Sequence, residues 1–125
     1  LMKTLVVGDL HLKQQFVLPR IDEMLAGDAE IGRVVFLGDA CDDWGANEAD
    51  ELNAMEFYAK WVREHRGRGM RIDVLLGNHD FCYVRGKRGP ARSCPSCAIC
   101  ERFWKMLCRQ RSPVQLGRIC ARTRV

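Results

Sequence analysis

The sequence predicts an α/β fold in the order β-α-β-α-β, with a parallel sheet, helices on both faces and an irregular C-terminal tail. Three observations lead there. Leu5-Val6-Val7, Val34-Val35-Phe36-Leu37 and the run from Ile72 to Leu76 are short, apolar and rich in β-branched residues. The two stretches between them space their apolar residues as helices do. Each apolar run also ends in a polar segment led by glycine: Gly8-Asp9-Leu10-His11, Gly38-Asp39-Ala40-Cys41-Asp42 and Gly77-Asn78-His79-Asp80.

Taken in order, Lys3 to Val7 reads as a buried strand. A helix from Leu18 to Ala29 follows, with Pro19 in its first turn and Leu18, Ile21, Met24 and Leu25 on one side. Arg33 to Leu37 is the second strand. Asn47 suits an N-cap, and Glu48, Asp50 and Glu51 complement the helix dipole behind it. That helix is expected to bury Leu52, Met55, Ala59 and Val62, with Phe57, Tyr58 and Trp61 nearby. It runs to about His65 and stops at Gly67-Arg68-Gly69. Ile72 to Leu76 is the third strand. Apolar strands alternating with helices imply a parallel sheet. Right-handed crossovers carry all three strand C-termini to one edge, where open α/β sheets bind ligands. Topology alone therefore gathers three motifs that lie 30 and 39 residues apart, counted from Asp9 to Asp39 and from Asp39 to Asn78.

Composition bounds the function. A chain of 125 residues, 47% hydrophobic, has room for one domain with a modest core. No run approaches the roughly 20 apolar residues of a membrane span, and no signal peptide is visible. A cytoplasmic protein with reduced thiols is expected. The net charge of +4 is divided sharply, at −6 over residues 1–80 and +10 over residues 81–125. Six of the seven cysteines lie in the second part. The expected organisation is thus a folded part over residues 1–90 and a basic, Cys-rich tail over residues 91–125. Lys87-Arg88-Gly89-Pro90 reads as a loop, and Phe103, Trp104, Met106 and Leu107 as one short helix face.

The strand-end motifs carry metal chemistry. Asp9 and His11, at i and i+2 of an extended strand end, face one side and can grip a divalent ion. Asp39 can bridge two ions, and Asn78 offers a carbonyl oxygen to the second. Mixed N/O donors suit Mn, Fe, Zn, Ni or Co better than Ca. Two ions about 3.5–4 Å apart would polarise a phosphoryl group and generate a hydroxide nucleophile.

In this order, and each after a strand, Gly-Asp-x-His, Gly-Asp-x-x-Asp and Gly-Asn-His-Asp resemble the calcineurin-like metallophosphoesterases. The resemblance covers residues 3 to about 83. It implies one half of a four-layer α/β sandwich, a two-metal centre and a phosphorylated substrate. It also implies that Asp9 and His11 bind the first metal, Asp39 bridges and Asn78 binds the second. His79 becomes the general acid or transition-state stabiliser near the leaving group, Asp80 orients His79, and Asp42 is a supporting or structural acid. The family also carries histidines downstream of the third motif that complete both metal shells. This chain has only His11, His65 and His79. It therefore reads as about the first half of such an enzyme, and a change of reading frame near residues 90–93 would account for the tail.

Other readings stand beside this one. An inactive fragment that keeps partial metal binding fits the same motifs. A nucleic-acid-binding module centred on the basic tail is the alternative from another class. Cys94-x-x-Cys97-x-x-Cys100, with Cys108 beyond, has a spacing that suits zinc or an iron–sulfur cluster. Asp42 and Asp43 suit a solvated loop as well as a site. Cys41 suits packing, and His65 suits the dipole at a helix C-terminus. Trp44 suits either a substrate cleft or packing.

Overall fold

A computed structural model describes residues 1–80. The tail loop, the short helix face after it, the cysteine cluster and the expected boundary at residue 90 lie outside the described residues. Five elements follow one another: β1 (Lys3–Val7), α1 (Gln14–Gly27), β2 (Ile31–Phe36), α2 (Glu48–Gly67) and β3 (Arg71–Val74). The three strands are parallel and lie side by side in the order β1-β2-β3. The α/β class and the element order are those the sequence predicts.

The covering of the sheet differs in one respect. Register places Leu5, Val34 and Ile72 in one row, and Val7, Phe36 and Val74 in the next. These six residues pack into a single core with Leu18 and Ile21 of α1 and Met55, Tyr58, Trp61 and Val62 of α2. Alternation turns the neighbouring residues to the other side. There Val6 is 57% exposed, and Arg33 reaches across to Asp73 at 2.7 Å. Both described helices therefore cover one face. Two successive right-handed crossovers stepping in the same direction along a sheet require that arrangement.

Aromatic packing fixes the centre of the core. The Phe36 ring meets Tyr58 edge-on at 5.1 Å and Trp61 at 5.8 Å. Cys41 is fully buried and packs within the same cluster. Met55, Ala59 and Val62 of α2 are buried as expected, whereas Leu52 and Phe57 turn outward.

Capping explains the helix ends. The Asn47 side chain accepts from the Asp50 amide at 3.0 Å, as its position suggested. At the other end Gly69 takes φ +90°, and the Gly69 and Met70 amides close onto the carbonyls of Arg66 and His65. Helix α1 starts four residues before the expected Leu18, so Pro19 lies inside it rather than in its first turn. The early start is held by Gln14, which is wholly buried and donates from Nε2 to the Ala40 carbonyl at 2.9 Å. Pro19 forfeits the amide that would bond to the Gln15 carbonyl, a cost the buried Leu18 and Ile21 around it offset.

His65 does more than face a helix dipole. Its Nδ1 lies 2.9 Å from the Trp61 carbonyl, its ring stacks on Trp61 at 3.9 Å, and its Nε2 lies 2.9 Å from Asp22. The Trp61 indole also donates to Asp22, so one carboxylate of α1 is held by two side chains of α2.

Candidate metal centre

The loops after the three strands meet at the C-terminal edge of the sheet. In the first loop Leu10 is buried in the core, which turns Asp9 and His11 outward together. Their common side comes from a turn rather than from an extended strand end, because His11 and Leu12 take φ +39° and +61°. The amides of Leu10 and His11 both donate to the Asp39 carbonyl, at 3.2 and 2.8 Å. The first loop is thereby hung on the second.

His11 is oriented by its far nitrogen. Nδ1 lies 2.9 Å from the Asp42 carbonyl. A carbonyl only accepts, so Nδ1 carries the proton and Nε2 keeps its lone pair. That lone pair faces the ion-binding side, 4.0 Å from Asp9 Oδ2. A ring fixed through one nitrogen and free at the other is the usual arrangement of a metal-ligating histidine.

Asp39 is 8% exposed and adopts φ +53°. One ligand atom each from Asp9, His11 and Asp39 can be chosen so that all three lie within 4.8 Å of one another. The same holds for His11, Asp42 and His79. Asn78 stands exposed at this edge and opens a helical turn that also holds His79 and Asp80.

Roles within the third motif differ from those the resemblance implied. His79 Nδ1 lies 2.5 Å from Oδ1 of the fully buried Asp42, and the His79 ring meets His11 edge-on at 4.8 Å. Asp42 is therefore the acid that orients His79. Asp80 faces the backbone instead. Its Oδ2 accepts from the amides of Asp39 (2.6 Å) and Gly77 (3.0 Å), and its Oδ1 from those of Ala40 (2.9 Å) and Cys41 (3.2 Å). Spacing could not have separated these two acids, since each follows a motif glycine by only three or four residues.

Beside the site, Lys13 reaches Asp43 at 2.6 Å. This ammonium, with the Trp44 amide, holds the Asp43 carboxyl below the usual carboxylate range. Asp43 is thus a rim residue, paired outside the donor group. Trp44 is 75% exposed next to it, which excludes the packing role within the described residues.

Beneath the site, burial pushes the Tyr58 phenol well above its ordinary pKa, and the charges of Asp80 and Cys41 add to the effect. The unfolded chain releases this proton near pH 10, while the folded chain retains it, so stability is full below about pH 10 and falls as pH rises beyond. The loss approaches about 1.4 kcal/mol per pH unit. Lys3, whose pKa is raised by hydrogen bonds to Asp28 and Glu30, loses its contribution in the same direction. Tyr58→Phe leaves the Lys3 contribution in place. Urea midpoints at pH 9 and pH 11 are expected to fall further for the wild type than for Tyr58→Phe; equal falls would refute the assignment.

The donor set fits a divalent transition ion. Among the described residues, the clustered ligand atoms are carboxylate oxygens and imidazole nitrogens, the His11 ring being pre-oriented. Among the described residues, no helix is long and apolar enough to cross a membrane. No curated protein and no solved structure matches the chain. A family model does match: calcineurin-like phosphoesterase, over residues 2–117. The match runs beyond the three motifs and takes in most of the basic stretch. On its motifs, its parallel sheet and this match, the chain belongs to the calcineurin-like phosphoesterase family.

Proposed function

We propose that the chain is a metal-dependent phosphoesterase that hydrolyses phosphate mono- or diesters at the C-terminal edge of its sheet. The observation that carries this reading is the meeting of two devices there. One is the donor group of Asp9, His11 and Asp39; the other is the Asp42–His79 pair beside it. In this reading Asp9, His11, Asp39 and Asn78 would hold the divalent ions.

Ions held there would polarise the phosphoryl oxygens and lower the pKa of an attacking water. The remaining work falls to the chain itself. Asp42, wholly buried, faces His79 Nδ1 and offsets the positive charge of a doubly protonated ring. His79 Nε2 is then the atom that hands a proton to the departing oxygen. His11, anchored by its Nδ1, keeps its Nε2 on the ion-binding side.

The test is hydrolysis of p-nitrophenyl phosphate and bis(p-nitrophenyl) phosphate with added Mn²⁺. Activity is expected to vanish on chelation and to fall by at least about 100-fold in Asp39→Asn. No turnover by the wild type with Mn²⁺, or an unchanged rate in Asp39→Asn, overturns the reading.

A further inference from the structure

We infer that Asp80 is the positioning residue of this metal centre: its carboxylate assembles the second and third loops around Asp39 and touches neither ion nor substrate. The inference rests on the reading of this edge as a metal centre and adds the residue that builds it.

Four observations carry it. Asp80 is completely buried, and its two oxygens accept from four backbone amides, those of Asp39, Ala40, Cys41 and Gly77. A carboxylate whose oxygens are shared among four donors is spent on them, and a convergent set of amides is a built anion seat. The tie is also reciprocal. Asp80 takes the Asp39 amide, while Asp39 Oδ1 takes the His79 amide at 2.8 Å. Each loop thus supplies the carboxylate that the other loop's backbone requires. Asp39 adopts a left-handed φ of +53°, a conformation disfavoured for a residue with a Cβ, so something must hold it. The bond to its own amide is the shortest of the four. Finally, the two loops touch backbone to backbone at Gly38 and Gly77, which leaves no room for a side chain to do this work from between them.

Removing the carboxylate therefore frees Asp39 to relax toward ordinary φ. That swings its oxygens away from Asp9 and His11 while every ligand remains in the sequence. The experiment uses the full chain with Co²⁺ as the probe, read by affinity and by the visible ligand-field bands. Asp80→Asn keeps the shape and one good acceptor but sets its own NH₂ against backbone amides; Asp80→Ala removes the seat. The expected result is a loss of Co²⁺ affinity of tenfold or more in Asp80→Asn, larger in Asp80→Ala, with shifted bands in Asp80→Asn. Val62→Ala, a core change on α2, reports mere destabilisation and is expected to keep wild-type affinity and bands. If Asp80→Asn binds Co²⁺ within twofold of the wild type with the same bands, or if Val62→Ala loses affinity equally, the proposal is overturned.

A second measurement does not depend on the variants folding. In the wild type, the amide protons of Asp39, Ala40 and Gly77 are expected to exchange slowly; exchange at free-loop rates overturns the proposal by itself. A wild type that binds no Co²⁺ but shows these slow amides refutes the metal-centre reading while leaving the loop clamp intact, so the two failures are distinguishable.

Discussion

Gly77→Ala is expected to cost on the order of 3–5 kcal/mol, enough to unfold much of a domain of ordinary marginal stability. An added methyl would overlap the Asp39 carboxylate and stand 2.5 Å from the Asp39 nitrogen. Neither atom can give way. The Asp39 nitrogen is bonded to Asp80, and the carboxylate oxygen Oδ1 receives the His79 amide. Gly38→Ala meets the same wall from the other side, 2.7 Å from Gly77 Cα and 2.8 Å from the Leu76 carbonyl carbon. It also adds the penalty of φ +112°. Two other glycines serve as controls. A methyl on Gly8 meets nothing within 4 Å, and one on Gly32 meets only the Met2 side chain, which can swing aside. Urea midpoints are expected to separate the four into two severe and two mild variants. A Gly77→Ala protein within about 1 kcal/mol of the wild type would refute this account of the loop junction.

That contrast shows how much of the site was legible in the sequence. Three glycines introduce three motifs, and the pattern treats them alike. Only Gly38 and Gly77 sit where two backbones touch, because that contact joins residues 39 apart, and spacing along the chain does not encode it. The ligand types were legible because strand ends in a parallel sheet converge whatever the intervening sequence. The division of labour between Asp42 and Asp80 was not. It depends on how each loop turns after its glycine, and the turns are set by Leu10, Ala40 and Cys41 sinking into the core.

The fold divides in a similar way. Apolar runs located the strands, and the Asn47 cap with its acidic first turn located the start of α2. The start of α1 was hidden because its anchor is a polar residue. Gln14 is buried to bond Ala40 in a distant loop, and local periodicity begins only at Val17 and Leu18. Sidedness was hidden as well. A run such as Leu5-Val6-Val7 reads as buried on both faces, yet Val6 turns away from the helices and only the alternate residues reach the core. Strand order, which no single run carries, decides whether successive helices share a face.

Asp42→Ala is expected to lower phosphoesterase turnover by about 10²–10⁴-fold. The wholly buried carboxylate is the partner of His79 Nδ1, and without it the ring loses both its orientation and the charge that offsets its own. Asp42→Asn retains an oxygen for Nδ1–H but no charge, so an intermediate rate is expected. Metal affinity should respond differently. His11 is anchored by the Asp42 backbone carbonyl, which neither substitution removes, so the Asp9–His11–Asp39 group keeps its geometry. Asp42→Asn should therefore bind Mn²⁺ or Co²⁺ within a fewfold of the wild type while turning over slowly, whereas Asp39→Asn should lose both binding and turnover. The opposite pattern has a definite meaning too. His11, Asp42 and His79 form a second cluster of convergent donors. Were Asp42→Asn to lose affinity as fully as Asp39→Asn, an ion would have to sit between the two histidines, and His79 could not serve as the proton donor.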